Sequence, residues 1–303
     1  MKKFFMAALV LLAATSCTNE SESTVVENNT EQTTAPVKVH VSDFSITQQD
    51  MSSAGGTTRG TENPVTYFAS GGTITLAFYD ANGTEKYRTT QIKEDSGTYT
   101  TFGEFSANLP VGNYTMVVVA SGHFDDDEFT LTSPTQAAYI SQRPRETFSK
   151  VESVTVTSAT PLDLDVTLSR ISAKLEIIST DGRPAGISKI RTTFSKGGKS
   201  FNPTTGLATV DTGFWQTNTP SAEVGQPIDI IIMPLLYTDE QSMTVTIEVL
   251  DAGDNVLSTK VVNNVPFKRN RVTILSGAVF TTDASAASFK LETSWLPGET
   301  VNF

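Results

Sequence analysis

From Val37 onward, apolar residues in this chain recur at every second position, a period that builds strands and not amphipathic helices. Val37, Val39 and Val41 alternate with Lys38, His40 and Ser42, and Phe44 and Ile46 extend the apolar set, which predicts a half-buried strand. Residues 73–79 repeat the pattern, and Asp80-Ala81-Asn82-Gly83 supplies turn chemistry before Tyr87. Further strands are predicted around 102–105 and 114–120. The second of these is entered through Leu109-Pro110-Val111-Gly112-Asn113, where Pro and Gly mark a reversal. Residues 134–150 carry no clear period and read as a short helix or a long loop.

A phase change divides the pattern. Leu162, Leu164, Val166 and Leu168 are apolar at even numbers, then Ile171, Ala173, Leu175 and Ile177 at odd numbers. Side chains alternate faces strictly, so a slip of one residue turns the buried face over. One strand closing a first β-sandwich and another opening a second, with a kink at Ser169-Arg170, accounts for this. A β-bulge inside one continuous sandwich gives the same pattern. Beyond the switch, strands are predicted at 188–194, 228–233, 243–250, 256–262, 272–280 and 289–295, with a hairpin around Asp251-Ala252-Gly253-Asp254-Asn255. The expected architecture is all-β, two tandem antiparallel Greek-key sandwiches spanning 37–169 and 170–303. A length of 303 residues suits two domains.

Composition narrows the function classes. The net charge of −11 argues against phosphate neutralisation, hence against nucleic acid, and against a polybasic attachment to anionic lipid. A single cysteine, Cys17, excludes a disulfide framework and cysteine-rich zinc sites. Its position is informative. Met1-Lys2-Lys3 precedes an unbroken apolar run over residues 4–14 and then Thr15-Ser16-Cys17, the layout of a secretory signal. The run is about half the roughly 20 apolar residues that a spanning helix needs. Leu12-Ala13-Ala14-Thr15-Ser16-Cys17 resembles the lipobox of bacterial lipoproteins, in which the cysteine becomes the N-terminus and carries the lipid. An ordinary signal peptide with an incidental cysteine is the alternative. On this reading residues 1–16 are the signal, and 17–36, rich in Glu, Asn, Thr and Ser, form a flexible tether. Glu20 and Glu22 resemble the acidic surface-export signals of Bacteroidetes lipoproteins.

Several blocks together resemble the fimbrillin superfamily of Bacteroidetes, the subunits of protease-assembled pili. They are the lipobox, the first alternating strand followed by Thr57-Thr58-Arg59-Gly60, and Arg170-Ile171-Ser172-Ala173-Lys174-Leu175-Glu176-Ile177. To these are added the closing block Val265-Pro266-Phe267-Lys268-Arg269-Asn270-Arg271-Val272-Thr273-Ile274-Leu275-Ser276-Gly277 and a terminal strand running from Phe289 to Trp295. Within the superfamily the anchor and minor-subunit lipoproteins look most similar. The resemblance implies two transthyretin-like sandwiches, lipid attachment at Cys17, and an outer-membrane, surface-exposed location in a fimbrium. It implies other fimbrial subunits as partners, together with a host or bacterial surface ligand. Stalk members are cut by an arginine-specific protease in the loop after the first strand, and the matching bond is Arg59–Gly60. Cutting would free Val37, Val39, Val41, Phe44 and Ile46 and open a groove for a neighbour's strand. Anchors keep their lipid and need no cut.

Catalytic chemistry has little to stand on, and no cofactor or metal is expected. There are two histidines, His40 and His123, and neither the His-Glu-x-x-His nor the Gly-x-Ser-x-Gly motif occurs. Asp125-Asp126-Asp127-Glu128 offers oxygen ligands of the kind Ca²⁺ takes, but contiguous side chains point apart, and a solvated turn fits better. Asp163 and Asp165 share one strand face, as an acid–base pair or as a polar outer surface. Trp215 and Trp295 are the aromatics that an exposed sugar-stacking platform would use, Trp215 in a polar loop context. A glycan-binding surface lipoprotein is the alternative function.

Overall fold

A computed structural model describes residues 33–46, 60–62, 72–93, 102–122, 129–141, 143–157, 160–281 and 290–293. Among them there is no helix, and the chain is all-β with several sheets. Cys17, Arg59, the acidic stretch 125–128 and Trp295 lie outside the described residues.

The first strand, β1 (Thr34–Ile46), starts three residues earlier than the alternation suggested, with Ala35 already buried. It runs antiparallel to β5 (Glu104–Pro110) and parallel to β10 (Leu162–Arg170). A register shift between Val41 and Asp43 coincides with the passage of the apolar set from odd to even numbers. At its end Ser45 and Ile46 pair with Thr61 and Gly60 of the short β2 (Gly60–Glu62).

A second group comprises β3 (Gly72–Asp80), β4 (Glu85–Lys93), β6 (Gly112–Gly122) and β9 (Thr147–Val156), joined in the order β9-β6-β3-β4. The turn after β3 is built as its residues suggest. Asp80 Oδ1 accepts the N–H groups of Asn82 and Thr84 at 2.9 Å, and Gly83 takes φ 75°. Strands β9 and β10 touch over only two pairs, at Ser149 and Phe148. Val37, Val39 and Val41 thereby share one core with Ile74, Leu76, Phe78, Met116 and Val118.

The middle strands β3 and β6 are buried on both faces, which explains the continuous apolar stretch at 116–120. Ala77, Tyr79, Val117 and Val119 turn away from that core toward a small sheet. Its strands are β7 (Phe129–Ser133), β8 (Gln136–Tyr139), β13 (Ser200–Asn202) and β14 (Leu207–Ala208), in the order β14-β13-β8-β7. Residues 134–150 thus contain strand and not helix, and Tyr139 is buried with its hydroxyl 2.6 Å from Thr147 Oγ1. Burial pushes the Tyr139 phenol up to about 12, although the Thr147 hydroxyl bond works against the shift.

A further core gathers Leu175 and Ile177 of β11 (Lys174–Ser179), Ile190 and Phe194 of β12 (Lys189–Phe194), and Val245 and Ile247 of β17 (Glu240–Leu250). One sheet runs β15 (Phe214–Asn218), β12, β17, β18 (Val256–Lys268). Another runs β16 (Asp229–Ile232), β11, β19 (Val272–Gly277), β20 (Lys290–Thr293). The hairpin between β17 and β18 closes on Asp251, whose Oδ1 accepts the Gly253 and Asn255 N–H groups, with Asp254 at φ 63°.

The phase change has a physical cause. Leu168 belongs to the first core, Ile171 to the patch behind the small sheet, and Ala173, Leu175 and Ile177 to the further core. The chain hands its apolar side from one core to the next within a few residues, so residues 170–177 are all at least largely enclosed.

The purely antiparallel expectation is corrected. Two ladders, β1 with β10 and β11 with β19, are parallel, so their sheets are mixed. A period of two is the same for a half-buried strand whichever way its neighbour runs, so alternation carries no sign of direction.

Candidate functional site: the seat of the first strand

Strand β1 fills a slot between β5 and β10. Its inward side chains, Val37, Val39 and Val41, are buried, and they meet Phe105 and Ala107 from one flank and Val166 from the other. Both backbone edges are occupied. Register places Val37 opposite Ala107 and Leu162, and Val39 opposite Phe105 and Leu164. At the strand's far end the Val41 N–H donates to the Gly103 carbonyl at 2.9 Å.

The outward side of the slot is charged. Lys38 stands in register with Asp163, and His40 with Glu104 on β5 and Asp165 on β10. His40 bridges both flanks: Nδ1 is bonded to Glu104 Oε2, and Nε2 lies 2.6 Å from Asp163 Oδ1. Two carboxylates, one at each ring nitrogen, favour the imidazolium form, which alone donates from both nitrogens. Desolvation opposes that charge, but the ring's hydrogen bonds to Glu104 and then to Asp163 outweigh it and hold His40 above its ordinary value.

Strand β4 braces the β5 flank. Gln91 donates to the Glu104 carbonyl at 2.6 Å and accepts the Gly103 N–H at 2.8 Å, while the Tyr87 hydroxyl donates to the Ser106 carbonyl at 3.0 Å. Asp163 and Asp165, which the sequence leaves as acid–base pair or polar surface, are both exposed and belong to this charged rim. Glu104 was not singled out by sequence. It is 64 residues from His40 in the chain, and only the β1–β5 register brings them together. Of the residues predicted to be displaced with β1, Val37, Val39 and Val41 sit in the core as expected. Phe44 and Ile46 lie in the strand, but their side chains fall outside the described residues. Of the candidate cleavage pair, Gly60 opens β2.

A second surface feature lies on the open face of the β15-β12-β17-β18 sheet. Trp215 is on a strand and not a loop, 46% exposed, opposite Thr193. The Arg191 guanidinium lies 5.9 Å from its ring centroid and donates to Glu248 Oε2 at 3.4 Å. Threonines 193, 217 and 246 and Val261 complete the face. No group of three or more His, Cys, Asp or Glu side chains is placed to hold a metal among the described residues.

No curated protein matches. Among solved structures, a candidate adhesin from Bacteroides ovatus superposes with a TM-score of 0.50 at 11% identity, over 88% of this chain and 97% of its own, and so shares the fold. The fimbrial anchor protein Mfa2 from Porphyromonas gingivalis matches at 0.45 and 13% identity over 80% of this chain and 90% of its own. The tip fimbrial protein Mfa3 from the same organism matches at 0.36 and 12% over 86% and 99%. Residues 32–291 match a family of unknown function, DUF6562, and the chain belongs to that family.

Proposed function

We propose that this chain is a structural subunit of cell-surface fimbriae, attached to the outer membrane through a lipid on Cys17, that assembles by β-strand exchange at the seat of β1. The observation that carries this is the seat itself. Strand β1 contributes three buried valines and pairs on both edges, and in sequence Arg59 falls between its end at Ile46 and Gly60, the first residue of β2. Cleavage after Arg59 would cut β1 from the body and leave an apolar slot with two rows of open backbone groups. An incoming strand restores both by β-strand addition. Like-for-like replacement of the side chains at 37, 39, 41, 44 and 46 recovers on the order of 10 kcal/mol of burial.

The state of the Arg59–Gly60 bond then sets the role. An uncut chain keeps its lipid and its own β1 and serves as an anchor. A cut chain loses residues 17–59, lipid included, and polymerises. The proposed organisation is a signal at 1–16, a tether from Cys17 to the start of β1, and two transthyretin-like Greek-key sandwiches meeting at 169/170, with no catalytic role. The fold shared with a Bacteroides ovatus candidate adhesin supports a surface setting.

N-terminal sequencing and intact mass of the protein from purified outer membrane test this. A diacylated start at Cys17 is expected for the anchor and a free start at Gly60 for a polymerising subunit. An unlipidated start elsewhere removes both.

The Trp215 face favours a second reading, glycan binding. An exposed indole offers a stacking surface for a pyranose ring, and the Arg191–Glu248 pair and threonine hydroxyls offer hydrogen bonds to sugar hydroxyls. Polysaccharide affinity that disappears in Trp215→Ala, without any change in polymerisation, is its test.

A further inference from the structure

We propose that the seat of β1 selects its occupant by charge: the strand it accepts from a neighbouring subunit carries basic side chains at the two outward positions now held by Lys38 and His40. This rests on the strand-exchange reading above and specifies the partner.

The rim is acidic from both sides. On β5 the one charged residue is Glu104, and over Leu162–Ser169 of β10 the charged residues are Asp163 and Asp165. The cations that answer them belong to β1, Lys38 opposite Asp163 and His40 bonded to Glu104 and Asp163. The nearest further cation on the flanks, Arg170 at the end of β10, is committed elsewhere, its Nε 2.7 Å from Glu146 Oε1 and its Nη1 2.8 Å from Asn270 Oδ1. Of the three β4 cations, Arg88 is bonded to Glu85 and Tyr79, Lys86 is bonded to Asp80, and Lys93 is buried at the end of the strand.

Removal of β1 therefore leaves three carboxylates at an empty slot without the Lys38 and His40 cations that β1 brings. A strand that is apolar inward and basic outward relieves their mutual repulsion as it docks. One that is acidic outward adds to it while its carboxylates lose water. The inward valines set only a requirement for β-branched or similar apolar residues, which many strands meet. Discrimination falls to the rim. The effect is against wrong partners as much as for the right one, because a chain of net charge −11 is surrounded by copies whose strands are mostly acidic or neutral.

The experiment uses the full chain with a specific protease site inserted after Arg59, cut and then challenged with labelled peptides. One peptide has the sequence of residues 34–46, and the other carries Lys38→Glu and His40→Glu. Fluorescence anisotropy follows entry at low salt and at 1 M NaCl, pH 6. The native peptide is expected to enter, and the acidic one to bind at least tenfold more weakly. The gap should narrow at high salt and in a body carrying Glu104→Gln with Asp163→Asn. Equal entry of both peptides overturns charge selection and leaves strand exchange standing. Entry by neither overturns strand exchange itself. The comparison that decides varies the two peptides and the salt on the native body, so folding of a variant body does not confuse it.

Discussion

Arg170 and Glu146 meet at 2.7 Å where the chain passes from its first core to the next, the arginine side chain only 1% exposed. The same guanidinium lies 5.1 Å from the centroid of the Phe148 ring and donates to Asn270 Oδ1 in the Lys268–Arg271 turn. Three segments distant in sequence, 146–148, 170 and 270, are tied through one side chain. Truncation takes the guanidinium away from Glu146 in a largely enclosed place. Arg170→Ala is expected to cost about 3 kcal/mol, the lower part of the range for breaking a buried pair, since Glu146 retains some solvent. Urea unfolding measures it, and Glu146→Gln in the Arg170→Ala background should add little.

The His40 clamp makes β1 sensitive to pH. Its folded-state value is raised, so its contribution to stability is complete below the unfolded value of 6.5 and is lost as pH rises through the folded value. The melting temperature of the native chain should exceed that of His40→Gln at pH 5.5, and the difference should shrink by pH 8.5. A constant difference across that range would show that His40 acts by packing alone.

Gly213 holds the turn before Trp215 at φ 77°, and a Cβ built on it would stand 2.3 Å from the Phe194 carbonyl oxygen. The left-handed conformation alone costs an alanine about 1 kcal/mol or more, and the neighbouring strand cannot retreat without breaking its β12–β15 pairing. Gly213→Ala is expected to lower stability by more than 2 kcal/mol on the order of such strained sites, and to reduce the protease resistance of residues 207–218.

The small sheet predicts cooperativity. Its strands come from 129–139 on one side of the phase change and 200–208 on the other, and Phe201 at its centre is fully buried beside Tyr139. Phe201→Ala should cost about 3–5 kcal/mol. Calorimetry of the native chain should give one transition, and of the variant a broader or split one.

Much of this was legible in the sequence, for reasons that residues make plain. Alternation at 37–41 and 162–168 marks strands because one face of each is buried. The one-residue slip at 169–171 marks a change of buried face because side chains alternate strictly along a strand, and the structure assigns the new face to other cores. The Asp80 and Asp251 turns could be read because a carboxylate two residues ahead of an N–H makes its own local bond. Strand β9 was missed because Thr147, Phe148 and Ser149 are all buried where it leaves the first core, which erases the period. The rim of the β1 seat was invisible for another reason. Asp163 and Asp165 could be seen to share a face, but their meaning depends on His40 and Glu104, and no local rule pairs residues so far apart.

The parallel ladder between β1 and β10 also governs when this protein can finish folding. His40 and Asp163 are separated by 123 residues, so β1, the first of the described strands to be synthesised, cannot take its place until β10 has followed it. Contacts of such long sequence separation close late, because the loop entropy must be met before any pairing rewards it. Once β10 is in place and until β1 docks beside it, the body presents an apolar slot with acidic edges, and the chain's own β1 must compete for it with every other strand nearby. Its advantage is proximity, since it is tethered to the body through residues 47–59 and so present at high local concentration. Sever that tether, and the competition begins again on equal terms.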